Sequence, residues 1–185
     1  PRFSILRLSV DGQTQQGQAQ LTITVRIKLR SDNLTRVPLQ LPDFVLQEPA
    51  RFEGSAEYYS LDYSDEDGGY VAWIQAEAES EHTLTLRGGA PLEQIGQETR
   101  LQLNAPRAVS PELRLLLPLE SVRATVMEGA GFLSTAAVEG GKTRLVVQGL
   151  RGNLQLSWQP TAAQPARVMD VKGRILVKIM APDEF

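Results

Sequence analysis

The chain has 185 residues, of which 42% are hydrophobic and 22% are charged, as in ordinary folded domains with a core. Its net charge of -3 argues against nucleic acid, which normally requires a basic surface. There is no cysteine for a disulfide or a thiolate metal site, and the single histidine, His82, excludes any site that needs two imidazoles from this chain. No apolar run reaches the length of about 18 residues that a membrane span needs, so we expect no membrane insertion by this segment.

Alternation of apolar and polar residues dominates the chain. In LTITVRIKLR, residues 21–30, an aliphatic side chain occupies every second position, which predicts a half-buried β-strand. The same pattern recurs at residues 82–88, 99–105, 112–118, 143–149, 153–158 and 170–179. Glycine, asparagine, aspartate and proline separate these runs and favour turns. The pattern predicts an all-β fold, an antiparallel β-sandwich.

Two segments carry signals that favour a helix. PLEQIG, residues 91–96, could form a single helical turn. SPELRLLLP, residues 110–118, starts like a helix, with Ser110 as a cap and Pro111 at the first position. Its leucines nevertheless alternate and a second proline soon follows, so we predict a strand there.

Two parts of the chain show the same features in the same order. Residues 66–86 and 138–158 each contain an acid, Gly-Gly, a strand, a polar link and a second strand, and a Leu-Pro pair precedes each part. The spacing predicts an internal pseudo-repeat with copies at about 19–88 and 97–158, inside a sandwich region that spans 1–160. Residues 161–185 are expected to be a linker plus a strand that closes the sandwich or begins a following module.

The acidic stretch LDYSDEDGGYVAW, residues 61–73, is the first candidate site. With Gly68 at the sixth position of an EF-hand loop, Asp65 and Asp67 take ligand positions, but Tyr63 and Ile74 fall where two further ligands are needed. The spacing therefore predicts a hairpin turn at Gly-Gly, with neither metal nor cofactor. The alternative is a looser cation site, for which the candidates are Asp62, Asp65, Glu66 and Asp67.

The second candidate is an aromatic cluster in the first copy. Tyr58, Tyr59, Tyr63 and Tyr70 could form a ligand-binding surface on which sugar rings stack. Core packing is the competing interpretation. Tyr70 and Trp73 are three residues apart, which places them on opposite faces of a strand, so at least one of them should lie in the core.

We find no catalytic constellation, and we expect no catalytic residue and no enzyme. His82 has no G-x-S-x-G nucleophile motif to work with, and we predict an exposed histidine at the start of a strand. Most acids fall in turns or on polar strand faces, where water keeps them ionised, and nothing marks out a pair for glycoside hydrolysis.

The stretch LQLNAPRAVSPELRLLLPLESVRATV, residues 101–126, and the later LQLSWQP, residues 154–160, are similar to β-sandwich modules in large predicted envelope proteins of bacteria. The resemblance covers about residues 20–160. It implies an extracytoplasmic setting, in the periplasm or cell envelope, and a place within a longer chain. The start at Pro1, without methionine, fits the same interpretation.

The function expected from this resemblance and from the absence of a catalytic pattern is that of a non-catalytic structural or interaction module. Its expected partners are a protein or a cell-surface polysaccharide. The alternative is a carbohydrate-binding module attached to an enzyme elsewhere in the chain.

Overall fold

The computed structural model describes residues 1–129 and 131–161. In these two ranges the chain is all-β and contains no helix, so none is present that could cross a membrane. The strands are β1 (Phe3–Gln15), β2 (Gln18–Leu29), β3 (Thr35–Gln40), β4 (Val45–Leu46), β5 (Arg51–Glu53), β6 (Tyr58–Ser64), β7 (Gly69–Gln75), β8 (Glu81–Ile95), β9 (Glu98–Asn104), β10 (Ser110–Leu117), β11 (Val122–Glu128), β12 (Phe132–Val138), β13 (Lys142–Gln148) and β14 (Asn153–Pro160).

The strands form a large sheet and a small one. The large sheet has the order β11-β14-β9-β8-β2-β1-β10-β13-β12, with the short strands β4 and β5 also paired to β8, and it is nearly closed into a barrel. The small sheet has the order β3-β7-β6. Buried apolar side chains from both sheets form one continuous core.

The large sheet is mixed, so the predicted antiparallel arrangement does not hold for every strand pair. Strand β1 pairs in parallel with β10, with Arg7 opposite Ser110, and antiparallel with β2 on its other side. Alternation reports which side chains share a face of a strand, but it carries no information about the direction of the neighbouring strand. The sequence pattern therefore could not predict that β1 lies between β2 and β10.

Alternation did locate strands correctly. In β2, Ile23 and Val25 lie opposite Leu86 and Leu84 of β8, and all four side chains are fully buried. Burial of each such side chain contributes roughly 1.5–3 kcal/mol. The segment predicted as a strand at residues 110–118 contains β10, Ser110–Leu117, and its alternating leucines are in the core.

The helix signal at residues 91–96 does not produce a helical turn. Strand β8 continues to Ile95, and its second half pairs with β9, where Glu93 lies opposite Arg100. The backbone of this segment therefore finds its hydrogen-bond partners in a neighbouring strand. Hydrogen bonding to the neighbouring strand β9 has prevailed over the helix preference of the local sequence.

The first segment (residues 19–88) and the second segment (residues 97–158) contain similar antiparallel pairings. In the first, β8 pairs with β2 and with β4 and β5, while β7 pairs with β3 and β6. In the second, β14 pairs with β9 and β11, while β13 pairs with β10 and β12. The segments differ because β10 joins the large sheet through β1, whereas the β3-β7-β6 sheet remains separate.

The hairpin turn predicted at Gly68 and Gly69 is confirmed between β6 and β7. Gly69 has φ of 136°, and a Cβ atom there would lie 2.0 Å from the carbonyl oxygen of Gln40. Only glycine suits this conformation and this close approach. The predicted strand at residues 170–179, and all of the chain after Thr161, lies outside the described residues.

Candidate functional site

The acidic stretch forms a hydrogen-bonded turn. Asp67 pairs with Arg36 of β3, its backbone N–H donates to the carbonyl oxygen of Ser64 at 3.2 Å, and the N–H of Gly68 donates to that of Asp65 at 3.2 Å. Asp62 lies on β6, where it accepts a hydrogen bond from the hydroxyl of Ser60. Nowhere in residues 1–129 and 131–161 do three or more histidine or acidic side chains gather as a metal site would require, and this includes Asp62, Asp65, Glu66 and Asp67.

Two of the four candidate tyrosines pack against the core. Tyr59 stacks on Phe52 with ring centroids 4.2 Å apart, and burial raises its pKa to about 12. Tyr70 packs edge-on against Phe44 at 6.4 Å, and its hydroxyl accepts a hydrogen bond from the backbone N–H of Leu46. Both rings stabilise the junction between the two sheets.

The other two tyrosines are half exposed but do not share a face. Tyr63 has the same orientation along β6 as Tyr59; it packs edge-on against Tyr70 at 5.2 Å, and its hydroxyl donates to the carbonyl oxygen of Pro42 at 3.1 Å. Tyr58 is an odd number of positions from both and points to the opposite side. The four tyrosines therefore do not form one flat platform.

A different aromatic pair lies on the side of the small sheet that faces away from the core. Trp73 of β7 is opposite Arg36 of β3 and Ser60 of β6, while Tyr58 is opposite Gln75. Tyr58 and Trp73 are thus diagonal neighbours on one face, within reach of large aromatic side chains. We call this surface, formed by Arg36, Tyr58, Ser60, Trp73 and Gln75, the Trp73 face. Counting alternate positions in the two strands could have found it, once their register was known.

His82 is buried, so the prediction of an exposed histidine was wrong. Its side chain is 1% exposed and stacks on Phe52 at a centroid distance of 5.3 Å. Its Nδ1 atom has no hydrogen-bond partner and lies so close to Gly54 that a Cβ atom there would be 2.4 Å away. Desolvation by this burial lowers the pKa of His82.

Ser80 and His82 are hydrogen bonded, but their protons are not arranged for nucleophilic catalysis. The Ser80 hydroxyl donates its single proton to the carbonyl oxygen of Glu77, so Oγ must accept from Nε2–H of His82, 2.8 Å away. A catalytic base would instead accept the serine proton. The neutral Nε2–H tautomer of His82 follows from this network, and it leaves Nδ1 as an unprotonated acceptor.

A groove of about 450 Å³ lies beside the second half of β8, and no pattern in the sequence indicated it. Its size suits a small ligand. Arg100 holds Glu98 at 3.0 Å, and hydrogen bonds from Arg100 and Ser157 lower the pKa of Glu98. The groove brings acidic, basic and amide side chains together because β8, β9 and β14 are adjacent. Its polar and apolar walls include Asp43, Glu93, Arg100, Gln102, Met127 and Gln155.

Comparison with known proteins adds information about the fold alone. No family model matches the chain, and no curated protein matches it in sequence. A two-domain M1 zinc metallopeptidase bound to L-tryptophan is similar in structure, with a TM-score of 0.54 and 12% identity over 85% of this chain and 43% of that one. The M1 zinc metallopeptidase from Deinococcus radiodurans gives a TM-score of 0.53 at 12% identity, over 85% of this chain and 42% of that chain.

Native yeast LTA4 hydrolase is also similar, with a TM-score of 0.52 at 10% identity over 89% of this chain and 30% of that one. This chain therefore spans less than half the length of each of these structures. At such low identity the likeness concerns the path of the backbone.

Proposed function

We propose that this chain is a non-catalytic interaction module of a longer, extracytoplasmic protein, and that it presents the Trp73 face to a partner. The observation that carries the proposal is the position of Trp73. It is a large aromatic side chain on the side of the small sheet away from the core, next to the exposed Tyr58 and the hydrogen-bonding Ser60. Aromatic residues with polar neighbours are enriched in recognition surfaces.

The partial coverage of the structural neighbours supports a role within a longer chain. The similar backbone accounts for 43% or less of those proteins, so in them this fold occurs beside other parts of a polypeptide. The extracytoplasmic setting rests on the resemblance of residues 20–160 to envelope modules.

We further propose that the first and second segments arose by duplication and form two β-sandwich units. The similar antiparallel pairings of the two segments support this. In each segment an apolar residue of the last strand also lies opposite an apolar residue of the first: Leu84 is opposite Val25, and Leu154 is opposite Leu103. A duplicated scaffold concentrates functional differences where the copies diverge, and the Trp73 face belongs to the first segment alone.

The second candidate function is carbohydrate binding, as a module attached to an enzyme. The pairing of Tyr58 with Trp73 favours it, because an aromatic face with flanking hydrogen-bond donors and acceptors suits a sugar ring. Ser60 and Gln75 supply such groups on the same face, and Asp62 follows on β6. A cell-surface polysaccharide and a protein are therefore the partners to compare.

Affinity electrophoresis of the full chain in gels that contain soluble bacterial polysaccharides tests the second candidate. If a polysaccharide is the partner, it should retard the protein, and Trp73→Ala should weaken the retardation at least tenfold. Phe132→Ala removes an exposed ring elsewhere and should change nothing. Retardation that survives Trp73→Ala would exclude this face as a sugar site, and a lack of retardation would favour a protein partner.

Assay with fluorogenic aminoacyl and glycoside substrates tests the non-catalytic proposal. The full chain, with and without added zinc, should show no turnover above buffer. Turnover that co-purifies with the chain through several columns, and that disappears on unfolding, would contradict the proposal.

A further inference from the structure

Strand β12 is an end strand of the large sheet, and it lacks the usual features that prevent an edge strand from pairing with a further strand. Its sequence, FLSTAAV, contains no charged residue and no proline, and it pairs with β13 along one edge. In the described ranges no strand pairs with its other edge. Proteins usually guard such edges with charge, proline or a bulge, because free backbone groups recruit another strand.

The core-facing side of β12 is also uncovered. Thr135 lies opposite Leu145 and Ala137 lies opposite Thr143, and both partners on β13 are buried. Thr135 and Ala137 should therefore face the core, yet both are exposed, and Leu133 beside them is only half-buried. The fold lacks a cover at this corner.

The end strand of the small sheet provides a contrast. Strand β6 carries Asp62 and leads into the acidic turn, whose charges discourage the addition of a strand. Its inward side is occupied by Tyr59, stacked on Phe52. The missing protection is therefore a property of β12 itself.

The chain leaves the described region close to the Val138 end of β12. The N–H of Thr161 donates to the carbonyl oxygen of Ser121 at 3.1 Å, and their hydroxyls are 2.6 Å apart. Just before Ser121, the carbonyl oxygen of Leu119 accepts a hydrogen bond from the hydroxyl of Thr143, which lies opposite Ala137. The described chain therefore ends at Thr161, on the side of the fold where β12 ends.

We propose that the free edge of β12 is the docking site for residues 168–180 of the same chain. That segment has apolar residues at alternate positions 169, 171, 175, 177 and 179 and mostly charged residues between them, which matches an edge with one apolar side. Its tether supplies a high effective concentration, which favours it over a second copy.

Engineered disulfides in the full chain test the proposal cleanly, because the natural sequence contains no cysteine. Thr135→Cys should be combined in turn with Val171→Cys, Ile175→Cys and Val177→Cys, since docking brings one of these close enough to cross-link. At least one pair should give a monomer that migrates faster on a non-reducing gel. In the matched control, Ser134→Cys replaces Thr135→Cys on the opposite face of β12 and should not cross-link.

Two outcomes would overturn the proposal. A covalent dimer of the Thr135→Cys single variant would show that a second copy occupies the edge. A folded protein, judged by circular dichroism, that forms no intramolecular cross-link in any combination would show that residues 168–180 do not dock there.

Discussion

In the first segment, the rings of Tyr59, Phe52 and His82 stack one on another and fill the corner beside β5 and β6. At the comparable strands of the second segment, β11 and β12, the inward positions carry small residues such as Ala124 and Ala137. The strand pairings are similar, but the filling of the corner is not. Pairing follows from backbone hydrogen bonds and apolar alternation, whereas closure of a sheet edge depends on side-chain volume.

The two segments therefore differ in how their corners and end strands are covered. The first segment has a corner filled by aromatic rings, an acidic turn and the Trp73 face, so its own side chains cover the corner of its core. The second has a bare edge that another strand can complete.

Matched core truncations should be equally costly in the two segments. Leu86 and Leu156 are 0% and 1% exposed, and each lies opposite an apolar residue of its neighbouring strand, Ile23 and Leu101. Leu86→Ala and Leu156→Ala should each lower the free energy of unfolding in urea by about 2–5 kcal/mol, because each leaves a cavity. The exposed Gln102→Ala should have little effect. A negligible change for Leu156→Ala would mean that its strand does not face the core.

The two Gly-Gly turns should respond differently to substitution. Gly69→Ala should cost about 2–4 kcal/mol of stability, because the new Cβ atom meets the carbonyl oxygen of Gln40 and the φ of 136° is unsuitable for alanine. Gly141→Ala should cost only about 1 kcal/mol, since its φ of 67° is left-handed but its surroundings are open. Thermal denaturation of both variants measures the difference. Equal costs would contradict the close approach at Gly69.

The first segment alone should make stability depend on pH through a histidine. Burial lowers the pKa of His82 below its unfolded value of about 6.5, so the unfolded chain binds more protons as the pH falls below that value. Stability is therefore fully present above about pH 6.5 and declines with falling pH.

The stability difference between the natural chain and His82→Phe isolates this contribution from that of the carboxylates. The natural chain should lose more stability than His82→Phe between about pH 7 and pH 5, in denaturant titrations at each pH. Parallel curves for the two proteins would show that His82 takes up a proton without cost.

The sequence predicted where many strands and turns lie, but it did not predict which strands pair with each other. Alternation located β2 and β10 because a half-buried strand needs a period of two, and Gly-Gly marked a real turn. The parallel pairing of β1 with β10 was not predictable, since it depends on contacts far apart in the chain. The strand at Pro91–Ile95 was hidden for the same reason: its partner β9 decides its conformation.

The candidate site was predicted less well, because side-chain burial depends on neighbours that alternation does not identify. His82 sits among polar residues in the sequence, yet Phe52 and Gly54, about thirty residues earlier, enclose it. The division of the four tyrosines between two faces depends on burial and on the register of β6 with β7, neither of which the sequence shows. The same register brings Trp73 next to Tyr58.

Amide hydrogen exchange at the two end strands, β6 and β12, most directly tests the central claim that the first segment is complete and the second requires another strand. In the full chain, the amides of β12 that point away from β13 should exchange slowly, and the outward amides of β6 should exchange fast. In the double variant Ile175→Asp/Val177→Asp, exchange at β12 should become as fast as at β6. Fast exchange at both edges of the natural chain, or unchanged slow exchange at β12 in the variant, would contradict the claim.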